Sequence, residues 1–117
     1  MFEIEGIDPS VPPAGSICLD CEAEKGWWLH LRRCALCGHI GCCDNSPSRH
    51  ARAHFAATGH PVMQSFEPNE SWFWDYPKKV RFHGPKLAEP RSRPDDQPSP
   101  GPTERVPDNW RDLIGPH

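Results

Sequence analysis

All six cysteines and five of the seven histidines of this 117-residue chain lie between Cys18 and His60. The cysteines begin with two Cys-x-x-Cys pairs, and three histidines follow them at short intervals. This spacing is typical of zinc sites, because thiolate sulfur and imidazole nitrogen are the ligands that Zn²⁺ prefers. In chain order the candidate ligands are Cys18, Cys21, Cys34, Cys37, Cys42 or Cys43, His50, His54 and His60.

Eight ligands are enough for two closed tetrahedral sites, so we expect two zinc ions. The spacing leaves their division open, because a helical pair such as His50 and His54 could also share one ion. Two other interpretations are weaker. Buried thiols can act as small hydrophobic residues, and a secreted chain could form disulfides, but neither explains the histidines. Adjacent Cys42 and Cys43 are also poor disulfide partners for each other.

Metal would compensate for a shortage of apolar residues. Only 36% of the residues are hydrophobic and 15 are proline. A small domain with so few apolar residues usually needs disulfides or a bound metal to stabilise its fold. The net charge of −3 argues against nucleic acid as a partner. Residues 1–15 lack the pattern of a signal peptide, and no apolar run reaches the ~20 residues that span a bilayer. We therefore expect a cytoplasmic monomer with reduced thiols and no membrane partner.

Composition divides the chain into three regions. Residues 1–16 carry three prolines and are interpreted as an extended N-terminal arm. The candidate ligands place a zinc finger domain at 17–83. Residues 84–117 contain eight prolines and are dominated by polar and charged side chains, which predicts a largely disordered tail. Trp110, Leu113 and Ile114 follow at helical spacing, but three positions are a weak pattern and an unstructured end is favoured.

The zinc finger region is predicted to be a small α+β domain, a short antiparallel sheet packed on one main helix. Ser46 suits the N-cap, Pro47 the first helical position and Gly59 the end, which predicts a helix over 47–58. His50 and His54 then share one helix face. Apolar and alternating runs predict strands over 27–33, 39–42, 62–66 and 79–82, and the most aromatic stretch is 72–76.

The complete spacing resembles that of the UBP-type zinc finger, the ubiquitin-binding finger of certain ubiquitin-specific proteases and of one histone deacetylase. Here it reads Cys-x2-Cys-x12-Cys-x2-Cys-x4-Cys-x7-His-x3-His-x5-His-Pro. The resemblance runs from about Cys18 to Tyr76 and includes the run Thr58-Gly59-His60-Pro61. Residues 41–47 resemble the bacterial branch of the family, which consists of short stand-alone proteins.

This resemblance implies how the ligands divide between two ions. One zinc would be held by Cys18, Cys21, Cys42 and His50. The second would be held by Cys34, Cys37, His54 and His60. Some members of the family carry a further zinc, with cysteines in the last aromatic segment. Asp75 stands at the position of such a cysteine in this chain, so we expect no third zinc.

The resemblance also implies a pocket for a protein segment. In eukaryotic members it holds the free diglycine C-terminus of ubiquitin with aromatic residues and an arginine, because a carboxylate needs cationic or N–H donors. Trp74 and Tyr76 match the aromatic positions, Trp72 belongs to the same cluster, and Asp44 stands where the arginine would be. An acidic group there repels a carboxylate, so we expect a protein partner whose bound segment or tail is not that of ubiquitin.

Three other functions fit parts of the sequence. Two complete ligand sets leave no open coordination position for a zinc-dependent reaction, so we predict no enzyme activity. Cys43 could serve a thiol-dependent enzyme, but it also fits a buried small residue. Arg32, Arg33, Arg49 and Arg52 could contact nucleic acid, although ordinary surface arginines are the simpler interpretation. The sequence does not separate a binding module from an accessory structural domain of a redox or transport complex.

Overall fold

The candidate ligands lie on and around a five-stranded antiparallel sheet. The computed structural model describes residues 6–114. The strands are β1 Leu31–Cys34, β2 Ile40–Cys42, β3 Val62–Ser65, β4 Phe73–Asp75 and β5 Val80–Phe82. Their spatial order is β2-β1-β3-β4-β5, and each neighbouring pair is antiparallel. This sheet, with few helices around it, confirms the predicted α+β class.

The first strand begins later than predicted, at Leu31 instead of residue 27. Trp28 does not join the sheet. Its backbone forms an isolated bridge with Gly101 of the tail, with N–H···O distances of 2.9 and 3.0 Å. The apolar alternation was therefore a correct sign of burial but not of pairing with the neighbouring strand.

Two short helices flank the sheet, α1 Leu19–Glu24 and α2 His50–Thr58. The sequence did not predict α1, because six residues are too few to show a helical period. Its first turn is capped by sulfur, since the Cys18 Sγ accepts the backbone N–H of Cys21 at 3.4 Å. The helix thus begins at the first candidate zinc ligand and carries the second.

The helix α2 begins three residues later than the predicted start at Pro47. Arg49 has a left-handed backbone with φ of 50°, which interrupts any helix from Pro47. Ser46 does not cap α2, because its hydroxyl accepts the backbone N–H of Leu29 at 2.8 Å. Gly59 ends the helix as predicted, in the left-handed region with φ of 78°.

One face of the sheet packs against α2. The approach is closest at Gly41 in β2, where a Cβ would lie 2.6 Å from the backbone nitrogen of Ala51. Side chains alternate between the two faces along a strand, so Arg32 and Arg33 of β1 point in opposite directions. Arg32 lies on the face of the sheet that packs against α2, beside the cavity described below.

The opposite face carries a core completed by the irregular ends of the chain. One cluster packs under α1, and its buried members are Cys18, Cys21, Trp28, Leu31, Ile40, Cys42 and Phe66. The other combines strand residues with Ile7 of the arm and Leu87 of the tail, and its members are Ile7, Ala35, Val62, Phe73 and Leu87. Phe2 and Ile4 of the arm lie outside the described residues.

The tail differs from the predicted disordered segment. Residues 84–114 contain only two short 3₁₀ turns, Thr103–Arg105 and Trp110–Asp112, yet the first part is fastened to the domain. The tail is attached mainly by hydrogen bonds from Arg33 of β1, a residue that is 1% exposed. Its guanidinium donates to the carbonyls of Val11 at 2.8 Å and of Ala88 and Pro90 at 3.1 Å each. Burial lowers the pKa of Arg33, although Glu89 partly offsets this.

A buried ion pair forms the second attachment of the tail. Arg93 makes two hydrogen bonds of 2.9 Å to the Glu67 carboxylate, which also accepts the backbone N–H of Leu31 and lies 3.1 Å from His30. Burial raises the pKa of Glu67, but the hydrogen bonds from His30, Arg93 and Leu31 outweigh it and lower the pKa to about 2. Within residues 6–114, no helix is long and apolar enough to cross a bilayer.

Candidate metal centres and binding pocket

The first group of candidate ligands is buried beneath α1. The atoms Cys18 Sγ, Cys21 Sγ, Cys42 Sγ and one nitrogen of His50 all lie within 4.8 Å of one another. The His50 Nδ1 is 3.4, 3.2 and 3.6 Å from the three sulfurs in that order. The sulfurs of Cys21 and Cys42 are 3.8 Å apart, which is about the edge of a tetrahedron with ~2.3 Å Zn–S bonds. The group has the size and the donors of a zinc site.

Neighbouring groups orient these donors. The Cys42 Sγ accepts the backbone N–H of His50 at 3.2 Å, which joins the end of β2 to the start of α2. On the far side of the imidazole, His50 Nε2 is 3.0 Å from the Glu24 carboxylate. Such a carboxylate fixes the ring so that the other nitrogen points at the metal. Glu24 is a supporting residue that sequence reasoning missed, because nothing in its spacing marks it.

The three buried thiols of the first group shift one another's pKa values in opposite directions. Hydrogen bonds from Cys18 and then Cys21 lower the pKa of Cys42 to about 2. The hydrogen bonds with Cys18 and Cys42, followed by burial, raise the pKa of Cys21 well above its usual range. Three sulfurs this close together cannot all carry a negative charge unless a cation compensates it, so some keep their protons. A divalent cation would displace those protons, as zinc does when it binds thiolates.

The second group of candidate ligands is more exposed. The donor atoms of Cys34, Cys37, His54 and His60 lie within 4.8 Å of one another. The Cys34 Sγ is 3.5 Å from His60 Nδ1, and the Cys37 Sγ is 3.3 Å from His54 Nε2. Cys37 is exposed and both histidines are half-buried. Burial, followed by the charges of His39 and His60, lowers the pKa of His54 and so favours the neutral imidazole that binds metal.

His39 links the two groups without joining either. Its ring stacks on His54 with centroids 4.5 Å apart and an angle of 6° between the planes. Its Nε2 lies 2.8 Å from the carboxylate of Asp20 in α1, next to the first group. Cys43 is also outside both groups, with its Sγ 3.5 Å from the Ser46 hydroxyl. Among residues 6–114 the eight grouped side chains are those that the resemblance assigned to two ions.

Unequal exposure predicts that the two sites will lose metal at different rates. We expect a chelator such as EDTA to remove zinc in two phases of similar amplitude, followed with a colorimetric zinc indicator. The fast phase should come from the second group, because Cys37 is accessible, whereas Cys18, Cys21 and Cys42 are 0% exposed. Circular dichroism should change mainly in the slow phase.

The substitution Cys37→Ser assigns the phases. It should remove the fast phase and leave the slow phase unchanged. Release of both ions in one step, together with loss of the folded signal, would contradict the prediction that the sites are unequal.

The four residues predicted to bind a peptide line one open cavity of about 160 Å³ beside α2. They are Trp72, Trp74, Tyr76 and Asp44, and the cavity wall also includes Arg32, Met63 and Arg81. Tyr76 is mostly buried because its ring stacks on Phe55 of α2 with centroids 4.9 Å apart. Burial, followed by the nearby Asp44, raises the pKa of Tyr76 well above its ordinary value, so it remains a neutral phenol.

Asp44 is paired with a residue that sequence reasoning did not connect to it. Its two carboxylate oxygens accept hydrogen bonds from Arg52 of α2 at 3.1 and 2.6 Å. The hydrogen bond to Asp44 raises the pKa of Arg52, and the guanidinium lies 5.4 Å from the centre of the Tyr76 ring. The negative charge expected to repel a carboxylate is therefore balanced by an arginine beside the cavity.

A larger open cavity, of about 680 Å³, lies between the turn after β3 and the tail. Its lining is mostly polar and charged, with Asn69, Glu70, Lys86 and Arg91 among its residues. It contains none of the tryptophans and lies away from both ligand groups. The smaller cavity therefore remains the better candidate for binding a protein segment, because aromatic walls supply most of the energy in such pockets.

Comparison with known proteins identifies the class of this domain. Residues 18–87 match the zf-UBP family, described as Zn-finger in ubiquitin-hydrolases and other protein. That match covers more than half of the chain, and the chain belongs to this family. The family and the two Cys/His clusters together fit two zinc ions.

Two kinds of relative share this domain. BRCA1-associated protein from Homo sapiens and that from Mus musculus are each 36% identical over 59 residues, which is 50% of this chain. The chain spans only 9% of the length of each of these relatives. The solution NMR structure of protein RPA1320 from Rhodopseudomonas palustris is 39% identical, with a TM-score of 0.63. The match covers 86% of this chain and 96% of that one.

Proposed function

We propose that this chain is a zinc-stabilised, non-catalytic module that binds an extended segment of a partner protein in the cavity beside α2. The partner segment would differ from the tail of ubiquitin. The observation that carries the proposal is the convergence of Trp72, Trp74, Tyr76 and Asp44 on one open cavity. Stacked rings and a polar rim suit an extended backbone, which offers flat peptide groups and little bulk.

The ligand assignment is part of the same proposal. We assign one ion to Cys18, Cys21, Cys42 and His50, and the other to Cys34, Cys37, His54 and His60. Each set has four donors, which is a complete tetrahedron and leaves no position for a reacting water. A binding role is therefore favoured over zinc-dependent catalysis. Six free thiols suit a reducing compartment such as the cytoplasm, and we propose a monomer there with an arm over 1–16 and a domain over 17–83.

Selection from a random peptide library tests the proposal. The immobilised, zinc-loaded protein should enrich peptides, and Trp74→Ala should weaken their binding by at least about tenfold, measured by calorimetry. Trp110→Ala is a matched control, because Trp110 lies in the tail and not in the cavity. If Trp74→Ala and Tyr76→Ala both leave the affinity unchanged, the cavity is not the binding site.

A further inference from the structure

We propose that the bound segment is acidic and that one of its Asp or Glu side chains binds to the N–H edges of Arg32 and Arg81, which lie against the ring of Trp72. This inference rests on the proposed function and specifies the chemistry of the partner. In the family that the chain resembles, the carboxylate is bound by an arginine at the position of Asp44. Here we infer that Arg32 and Arg81, on the open face of the sheet, bind it instead. The inference is supported by the stacking of these two arginines on Trp72, by their lack of direct ion pairs, and by the charge of the cavity lining.

Both arginines stack on a single tryptophan. The guanidinium carbon of Arg32 lies 4.7 Å from the centre of the Trp72 ring, and that of Arg81 lies 4.4 Å from it. Arg32 comes from β1 and Arg81 from β5, which are separated in the sheet by β3 and β4. Stacking uses the faces of the guanidinium groups and leaves their N–H edges available. The ring of Trp72 thus positions two hydrogen-bond donors, the guanidinium groups of Arg32 and Arg81, on the cavity wall.

Neither arginine forms a direct ion pair among the described residues; a carboxylate, that of Glu70, accepts the hydroxyl of Ser65 that Arg32 contacts. Across the described part of the chain, the ion pairs involve other cations, and neither Arg32 nor Arg81 contacts a carboxylate. Arg32 directs one nitrogen to the carbonyl of Leu31 and, at 3.4 Å, to the hydroxyl of Ser65. Arg81 is exposed. A carboxylate is the natural partner for such donors, because it can accept from a planar guanidinium with both oxygens.

The charge of the cavity has the opposite sign from that of the chain. The net charge of the protein is −3. Asp44 is the acidic residue of the cavity lining and is balanced by Arg52, so the lining itself keeps the positive charges of Arg32 and Arg81. This local excess would attract an acidic segment and orient it along the sheet. The Asp44–Arg52 pair also occupies the place where a terminal carboxylate would be expected, which favours an internal side chain.

Substitution of each arginine tests the inference. Peptides enriched from the random library should contain Asp or Glu, and replacing that residue by Asn or Gln should weaken binding at least about tenfold. Arg81→Gln should have a similar effect. It lies on the surface, so folding and zinc content should not change. Arg32→Gln should act in the same direction. Arg111→Gln is a matched control, because Arg111 stacks on Trp110 at 4.5 Å outside the cavity.

The possible outcomes separate the inference from the proposed function. If peptides bind and Trp74→Ala weakens them, but the Arg81→Gln and Arg32→Gln variants bind normally, the module stands and the acidic anchor is overturned. Loss of binding when the peptide C-terminus is amidated would assign the carboxylate to a chain end and would also overturn it. Competition by a single-stranded oligonucleotide better than by acidic peptides would replace the peptide with nucleic acid. Failure to enrich any peptide would remove both claims.

Discussion

Replacing Cys42 by serine is expected to unfold the domain, whereas replacing the adjacent Cys43 by serine is expected to leave it folded. Cys42 is 0% exposed and its sulfur lies within 3.8 Å of Cys21. Binding of a structural zinc contributes on the order of 10 kcal/mol to folding, which is comparable with the total stability of a typical domain. Circular dichroism and zinc content per chain measure the result, with two zinc ions for wild type and Cys43→Ser.

Cys43 is a close control for Cys42. It is 4% exposed, and its Sγ contacts only the hydroxyl of Ser46 among the polar groups that the structure describes. Serine is similar in size, so we expect a loss of about 1 kcal/mol in the free energy of unfolding. If Cys42→Ser still bound two ions and kept the folded spectrum, the proposed first site would be incorrect. Zinc loss in Cys43→Ser alone would instead make Cys43 the ligand.

The second large effect is expected at the buried pair that holds the tail. Glu67→Gln should lower the free energy of unfolding by about 3 kcal/mol, because it leaves Arg93 buried without a countercharge. The side chains of Glu67 and Arg93 are 7% and 10% exposed, so solvent screens the pair little. Denaturant unfolding in excess zinc measures the loss. Arg91→Gln is the control, because its pair with Glu89 is exposed and should contribute less than about 1 kcal/mol.

The pH dependence of that difference follows from the pKa of Glu67. The folded value is about 2 and the ordinary value is 4.5. A carboxyl whose pKa is lower in the folded state contributes stability above its ordinary pKa and loses it as the pH falls toward the folded pKa. The difference between wild type and Glu67→Gln should therefore shrink as the pH falls below about 5. A difference that grew as the pH fell below about 5 would contradict the ion pair.

The sequence was most informative where chemistry restricts the residue type. Few side chains bind zinc, so the spacing of Cys18, Cys21, Cys34 and Cys37 with the later histidines predicted the metal, and the resemblance predicted the grouping. The end of α2 at Gly59 was predictable for a similar reason, since a left-handed backbone favours glycine. In these cases a local rule and the tertiary structure agree.

Tertiary contacts determined the features that the sequence did not predict. Arg33, Glu67 and Arg93 look like surface charges in the sequence, and only the fold shows that they are buried and attach the tail. Proline-rich composition predicted the scarcity of regular structure but could not predict those contacts. Arg32 and Arg81 were not connected with the cavity beforehand, because they come from strands about 50 residues apart that meet only through the sheet.

The short helix α2 contributes residues to both ligand groups and to the surroundings of the cavity, which limits how this domain could be re-engineered. The nine residues of α2 carry four separate contacts: His50 belongs to one ligand group, His54 to the other, Arg52 balances Asp44, and Phe55 stacks on Tyr76. Adding or deleting a single residue there would rotate every later position by about 100°. Zinc binding and the proposed peptide binding would then be lost together, so a change of peptide specificity should be made on the strands and not on the helix.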